Sequence, residues 1–352
     1  MITTKPLLSI CIPTFNRADL LEVCLATVVP QLLPFAHEVE CIVSDNASSD
    51  HTTEVIERFS KTFEIRYFRN QSNIGIIANI TRCTSELAEG DYVLLIGDDD
   101  ALTEGAVSRI LEDLRAQDRP DMIALNVGYR PRHQRPAPDA AMGGVPARCD
   151  RTLRKSTAEG RIAFEQVLEG PTADLTASYS VVLRRKLWRQ QFPTACFDEP
   201  FQSVRTTYPS AWVIAMSMPG RPVSVIATPS VVIYELPGEE YSWARFRALS
   251  SLVYATQLLL HYQQGGVTKE ILRPYFIYQL EHRSAELGDL LWNPESAGGW
   301  QGALQFSWMM RTHPLRLLKM LVLACNHPLA PRLLRWPVRA SLQMKQRLHG
   351  KQ

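Results

Sequence analysis

The sequence predicts an α/β protein, with a mainly parallel sheet flanked by helices and then a helical C-terminal extension. Two observations carry this. Strand-like and helix-like apolar patterns alternate from the N-terminus to about residue 130. From Tyr241 onward the pattern is helical, broken at Gly265–Gly266, Gly298–Gly299, Pro314 and Pro328.

In chain order, Leu7–Pro13 is a short apolar run that suits a buried strand. Asp19–Gln31 follows with Leu20, Leu21, Cys24, Leu25 and Val28 at helical spacing. Val39–Asp45 is the second strand, and Ser49 or Asp50 can cap a helix whose apolar face is Val55, Ile56 and Phe59. Glu64–Phe68 is the third strand, and Ile76–Leu87 is a helix ended by Gly90. Asp91–Gly97 is a fully apolar fourth strand, Thr103–Gln117 an amphipathic helix and Asp121–Val127 a fifth strand. From Arg130 to Lys155 Pro, Ala, Gly and Arg dominate and no period survives, so 131–157 reads as a flexible loop. Mixed patterns return between Arg161 and Tyr234, with runs at Ser178–Leu183 and Val223–Tyr234.

The 352 residues suffice for one large or two modest domains. The formal charge of +2 hides an asymmetry: Gln301–Gln352 has no Asp or Glu but nine Lys and Arg, so the remainder is net acidic. Seven cysteines are scattered without C-x-x-C spacing, which excludes zinc and dithiol readings. The N-terminal apolar run breaks at Pro13, unlike a signal peptide. No run reads as the roughly 18 apolar residues of a membrane span. A cytoplasmic protein is expected, held at the inner face of the membrane. Its basic tail, interleaved with Trp308, Trp336 and leucines, suits peripheral contact with anionic lipid. Without a recognised motif beside that charge, no nucleic-acid partner is expected.

Three polar segments fall where parallel strands end: Pro13–Arg17, Asp45–Asp50 and Gly97–Asp100. Ligands in such sheets bind beyond the carboxyl ends of the strands. Asp98, Asp99 and Asp100 repel one another, and a hard divalent cation, Mg²⁺ or Mn²⁺, would relieve that repulsion. Such an ion can bridge diphosphate oxygens. Asp45 could accept a hydrogen bond from a base or ribose, Arg17 could pair with phosphate, and Asn73-Ile-Gly75 could let backbone approach a ligand.

Together these segments resemble the nucleotide-binding half of family 2 glycosyltransferases, of GT-A fold. The family's P-T-[FY]-N-R pattern is matched by Pro13, Thr14, Asn16 and Arg17, and its D-[DN]-x-S-x-D pattern by Asp45, Asn46, Ser48 and Asp50. Its N-x-G is matched by Asn73 and Gly75, and its run into D-x-D by Ala88, Gly90, Asp91 and Tyr92. The Gly-Asp-Asp-Asp form is similar to the abequosyltransferase-like branch, which builds bacterial surface polysaccharides. The resemblance implies a nucleotide-sugar donor, a divalent metal and a saccharide or lipid-linked saccharide acceptor. Pro13, Thr14, Asn16, Arg17, Asp45, Asn73, Gly75 and Asp98 would then bind the donor. Aligned with the family's D-A-D-D, Asp99 is the direct metal ligand; shifted by one, Asp98 and Asp100 are the pair. A base N3–H on Asp45 favours UDP or dTDP, whereas the abequosyltransferase-like branch resembles users of CDP-sugars.

Where the family's catalytic Glu-Asp pair should follow Phe197-Asp198-Glu199, the chain reads Thr207-Tyr208-Pro209. Asp198 and Glu199 are therefore the base candidates, with Asp174 and Glu235 behind them. The expected organisation is 1–130 for donor and metal, 131–240 for the acceptor side and 241–352 for the basic helical region. The rival readings are a catalytically impaired membrane scaffold and a metal-dependent nucleotidyltransferase. The second usually needs a Gly-rich phosphate loop, which Pro13–Arg17 is not. No G-x-G-x-x-G follows the first strand, which argues against an NAD enzyme.

Overall fold

A computed structural model describes residues 5–149, 151–153, 159–168, 181–235 and 244–331. Asp174, Trp336 and the basic residues from Arg332 onward lie outside the described residues. The chain divides into two compact units, Met1–Leu236 and Pro237–Gln352.

In the first unit, strand β1 (Leu8–Thr14) pairs in parallel with β2 (Val39–Asp45) on one side and β4 (Tyr92–Leu95) on the other, and β2 pairs with β3 (Ile65–Arg69). β1, β2 and β4 are buried at nearly every position, which is why they read as continuous apolar runs. Helix α1 (Ala18–Leu32) crosses from β1 to β2, α2 (Thr52–Ser60) from β2 to β3, and α3 (Ile76–Thr81), extended by a π-helical turn at Arg82–Leu87, leads to β4. Leu21, Leu25, Val28 and Leu32 of α1 are fully buried, each contributing roughly 1.5–3 kcal/mol. The stretch Ala18–Phe35 is long and apolar enough to cross a membrane by length and composition, contrary to the sequence reading, yet 61% of it is buried against this core.

The sheet continues through β5 (Asp100–Leu102), helix α4 (Ala106–Arg115), β6 (Met122–Pro131), β7 (Arg151–Thr152), β8 (Gly160–Ala163), α5 (Phe164–Val167) and β9 (Val181–Arg184). Short helices α6 (Arg185–Gln191), α7 (Val204–Thr207) and α8 (Pro209–Ser217) then precede β10 (Pro222–Glu235). The strand order is β3-β2-β1-β4-β9-β6-β10-β5. β9 runs antiparallel between β4 and β6, and β5 runs antiparallel to β10, so the sheet is mixed beyond β4.

The part of 131–157 that is described is not the structureless loop its composition suggests. Ala141, Val145 and Leu153 are buried in the core. Gly143 N–H donates to Ala26 O at 3.0 Å and Val145 N–H to Leu102 O at 3.0 Å. Isolated small apolar residues each plug one gap, so no period marks them.

The second unit contains α9 (Ala255–Gln264), α10 (Lys269–His282), α11 (Ser284–Trp292), α12 (Gly299–Met309) and α13 (Pro314–Ala324). Leu287, Leu290, Phe306 and Met320 are buried there. The Trp292 indole N–H donates to Ala324 O at 3.2 Å.

Candidate active site

Parallel pairing brings Thr14 opposite Asp45 at the ends of β1 and β2, and the 97–100 turn follows β4 on the other side of β1. Thr14 Oγ1 donates to Asp98 Oδ2 at 2.7 Å. Arg17 reaches across with one guanidinium nitrogen 3.1 Å from Asp98 Oδ1 and 3.3 Å from Asp99 Oδ2. The first and fourth strand ends thus meet, as their positions in the sequence predict.

Within the turn the three carboxylates part company. Asp98 and Asp100 are each 4% exposed, whereas the Asp99 side chain is 26% exposed. Burial pushes the Asp98 carboxyl up to about 6 even though Arg17 opposes the shift. Burial, and then the Asp99 charge, raise Asp100 as well. Gly97 lets the turn close: a Cβ there would sit 2.8 Å from both Asp99 Oδ1 and Asp100 Oδ2. Those two oxygens therefore converge on one point over the glycine.

That cradle decides how a cation could be held. Among the described residues, no group of three acidic, histidine or cysteine side chains is arranged to hold a metal ion. Asp98 is turned toward Thr14 and Arg17, and Asp99 Oδ2 also meets Arg17, while Asp99 Oδ1 and Asp100 Oδ2 face the space over Gly97. Mg²⁺ needs only one or two carboxylates when substrate phosphates and water complete its shell. The Asp99–Asp100 pair fits that chemistry, and it joins Asp99 of one sequence register to Asp100 of the other.

Asp45 is held by bonds within the protein. It is fully buried; its Oδ1 accepts from Ser48 N–H at 2.8 Å, and its Oδ2 from Tyr67 Oη–H at 2.8 Å, with Arg69 Nε at 3.5 Å. These bonds tie Asp45 into the turn after β2 and to β3. Its neighbour Asn46 organises a buried amide network, accepting from Asn70 at 3.0 Å and Ile74 N–H at 2.9 Å and donating to Asn73 at 2.7 Å. Asn79 ties this network to Ser44. Asn73 also accepts from Gly75 N–H at 2.9 Å, and Gly75 has φ +85°, a backbone region that glycine reaches without strain. Asn16, at φ 51°, accepts from Ser49 N–H at 2.7 Å, joining the first two loops. Pro13 is half-buried at the end of β1.

Asp198 and Glu199 lie exposed on the loop after α6, where Asp198 faces Cys196 Sγ at 3.4 Å and Arg205 at 3.6 Å. Glu235 is exposed and pairs with Arg151 at 2.5 Å. Tyr208 and Pro209 lead into α8, with Pro at its first turn. One residue at the turn escaped sequence reasoning altogether. Arg135 donates to Asp99 O at 2.6 Å and stacks 5.0 Å over the Tyr234 ring, bringing the 131–157 segment onto the turn.

The sequence profile of glycosyl transferase family 2 matches residues 9–189, from β1 through α6. The chain belongs to this family. Abequosyltransferase RfbV of Salmonella typhimurium is 40% identical over 113 residues, 32% of this chain and 33% of that protein. The GalNAc(5)-diNAcBac-PP-undecaprenol beta-1,3-glucosyltransferase of Campylobacter jejuni is 37% identical over 109 residues, 30% of this chain and 34% of that protein. The match thus spans about a third of the length of these curated relatives. The fold is GT-A-like. The crystal structure of S. aureus TarS 1-349 superposes with a TM-score of 0.62 at 14% identity, covering 91% of this chain and 90% of that one.

Proposed function

We propose that this family 2 chain transfers a sugar from a nucleotide-sugar to a hydroxyl of a saccharide, in the assembly of a bacterial surface polysaccharide. The observation that carries the reading is the convergence of Asp99 Oδ1 and Asp100 Oδ2 over Gly97, beside the Thr14–Asp98–Arg17 network. Asp99 and Asp100 would hold a divalent ion, Mg²⁺ or Mn²⁺, which when bound would neutralise charge on the departing diphosphate. Thr14 and Arg17 fix Asp98 and thereby the turn, and Arg17 is placed to turn toward phosphate once a cation draws the carboxylates away. Asn16, Asn73 and Gly75 shape the loops that would border the nucleotide. Asp198 and Glu199 stay the candidates to deprotonate the acceptor, in hexosyl or deoxyhexosyl transfer alike.

Asp45 is held by Ser48 and Tyr67, and the donor base stays open between UDP or dTDP and the CDP-sugars that the resemblance to the abequosyltransferase-like branch implies. Measuring nucleotide release from UDP-, dTDP-, CDP- and GDP-sugars with Mn²⁺ tests both donor class and base. Failure to release nucleotide from any of them would return the chain to the impaired-scaffold reading, which Tyr208–Pro209 in place of an acidic pair favours.

A lipid-linked acceptor, and a position at the inner face of the membrane, are part of the proposal. The Campylobacter relative is named for an undecaprenol diphosphate acceptor. The second unit supports membrane contact. Trp300, Leu304 and Trp308 are 58%, 66% and 67% exposed at i, i+4, i+8 on α12, one face of the helix. Leu315, Leu318 and Val322 form a second exposed stripe on α13, alongside Arg316 and Lys319. Trp and Leu among basic residues suit an interfacial helix. Flotation on anionic vesicles should occur for the full chain, weaken with salt without vanishing, and disappear on truncation after residue 300. Equal flotation of both forms, or of neither, overturns the membrane assignment.

A further inference from the structure

A second charged site lies at the opposite edge of the same sheet. At the amino ends of β1 and β4 is a cleft of about 430 Å³. Five cationic side chains line it, Lys5, Arg184, Arg185, Lys186 and Arg189, against one carboxylate, Asp91. The sequence makes this edge through α6. Leu187 and Trp188 are 1% exposed and pin one side of that helix in the core. Arg185 and Arg189, at i and i+4, are left together on the side that faces the cleft.

The cleft is built before any ligand arrives. Arg185 Nε donates to Gly90 O at 2.9 Å, which anchors its guanidinium while leaving the terminal nitrogens available. Arg184 lies 4.9 Å over the Tyr92 ring and 2.6 Å from Asp121. Asp121 also takes Lys186 at 3.2 Å and Arg221 at 2.8 Å, so one carboxylate serves three cations. Asp91 is paired with Lys5. Among the described residues, Arg189 makes no carboxylate pair and the Arg185 guanidinium bonds to a carbonyl. Two guanidiniums one helical turn apart, uncompensated and in a concave setting, offer the forked geometry that phosphate oxygens accept.

We infer that this cleft is a binding site for a phosphate-rich anion, of the diphosphate or phosphate-ester class. It is separate from the donor site, because β4 and the residues that continue it to Asp98 set the two edges roughly 20 Å apart.

The test is calorimetric titration of inorganic diphosphate into the full chain at low salt with chelator present, which removes metal-dependent binding at the carboxyl edge. The wild-type chain should bind, and added salt should weaken binding as charge pairing requires. Arg185→Ala with Arg189→Ala should weaken it about tenfold or more. Arg189→Ala alone, at an exposed position outside the core, should weaken it by less while leaving the melting temperature unchanged. Asp99→Ala should leave it intact. Competition by UDP or by a short-chain phosphatidic acid then distinguishes a nucleotide from a lipid headgroup as the bearer of the phosphate. Absence of diphosphate binding, equal binding by the arginine variants, or loss in Asp99→Ala would each overturn the inference.

Discussion

At the carboxyl ends of β1 and β4 stand Asp98, Asp99 and Asp100, with Arg17 and Arg135 against them; at the amino ends stand Lys5, Arg184, Arg185, Lys186 and Arg189, with Asp91 and Asp121 against them. The two edges differ less in the amount of charge than in its burial. Asp98 and Asp100 are 4% exposed, whereas the Lys5 and Lys186 side chains are 55% and 56% exposed. Water screens the basic edge at little cost, while the acidic edge holds desolvated carboxylates whose pKa values are raised. Unrelieved electrostatic energy therefore sits at the carboxyl edge, and changes there should have the larger consequences.

Asp99→Ala should have the largest effect. Nucleotide release from the preferred sugar donor should fall by roughly 10²-fold or more, as when one transition-state stabiliser is removed. The melting temperature of the ligand-free protein should rise slightly, because one repelling charge has gone. Gly97→Ala should come next, because its Cβ would meet Asp99 Oδ1 and Asp100 Oδ2 at 2.8 Å and push the pair apart. We expect about a tenfold loss of the same activity, with the circular dichroism spectrum retained.

Asn46→Ala removes the hub of the buried amide network, leaving Ile74 N–H without its acceptor and the Asn70 amide with only its bond to Asn79. Urea denaturation should show a loss of about 1–3 kcal/mol. Asp98→Asn tests the sign of the burial effect. The Asp98 pKa is about 6 in the folded chain, against roughly 4 in the unfolded chain. The folded state therefore holds the proton more tightly. The contribution of Asp98 is complete below the unfolded value and is lost as pH rises through 6. Ligand-free wild type should thus gain up to about 2–3 kcal/mol between pH 7 and 4 relative to Asp98→Asn. Thermal melts across that range would show parallel curves if the carboxyl were not perturbed. Lys186→Ala, at the solvated edge, should change stability by less than about 0.5 kcal/mol and leave nucleotide release unchanged. A large effect there would erase the contrast between the edges.

The same contrast explains what could be read from the sequence. β1, β2 and β4 are buried on both faces, so each is a continuous apolar run, and the polar residues after each run mark the ligand edge without any tertiary knowledge. The Thr14, Arg17 and Asp98–Asp100 cluster was legible for that reason. The bond from Tyr67 to Asp45 was not legible, because Tyr67 sits on the next strand, where nothing local reveals it. Arg135 was invisible among the other arginines of an aperiodic segment held down by contacts to Ala26 and Leu102, far away in the chain. The basic cleft was hidden because Lys5, Asp91 and Arg184–Arg189 come from three separate parts of the chain, brought together by the antiparallel pairing of β9 with β4.

The central claim is that Asp99 and Asp100 hold a divalent ion that a nucleotide-sugar needs. It is tested most directly by the affinity of the preferred nucleotide for the wild-type chain, measured with Mn²⁺ and again with excess chelator. The account predicts clear binding with Mn²⁺, a loss of roughly tenfold or more in chelator, and no difference between the two conditions for Asp99→Ala. Equal affinity in Mn²⁺ and chelator for the wild-type chain would contradict it.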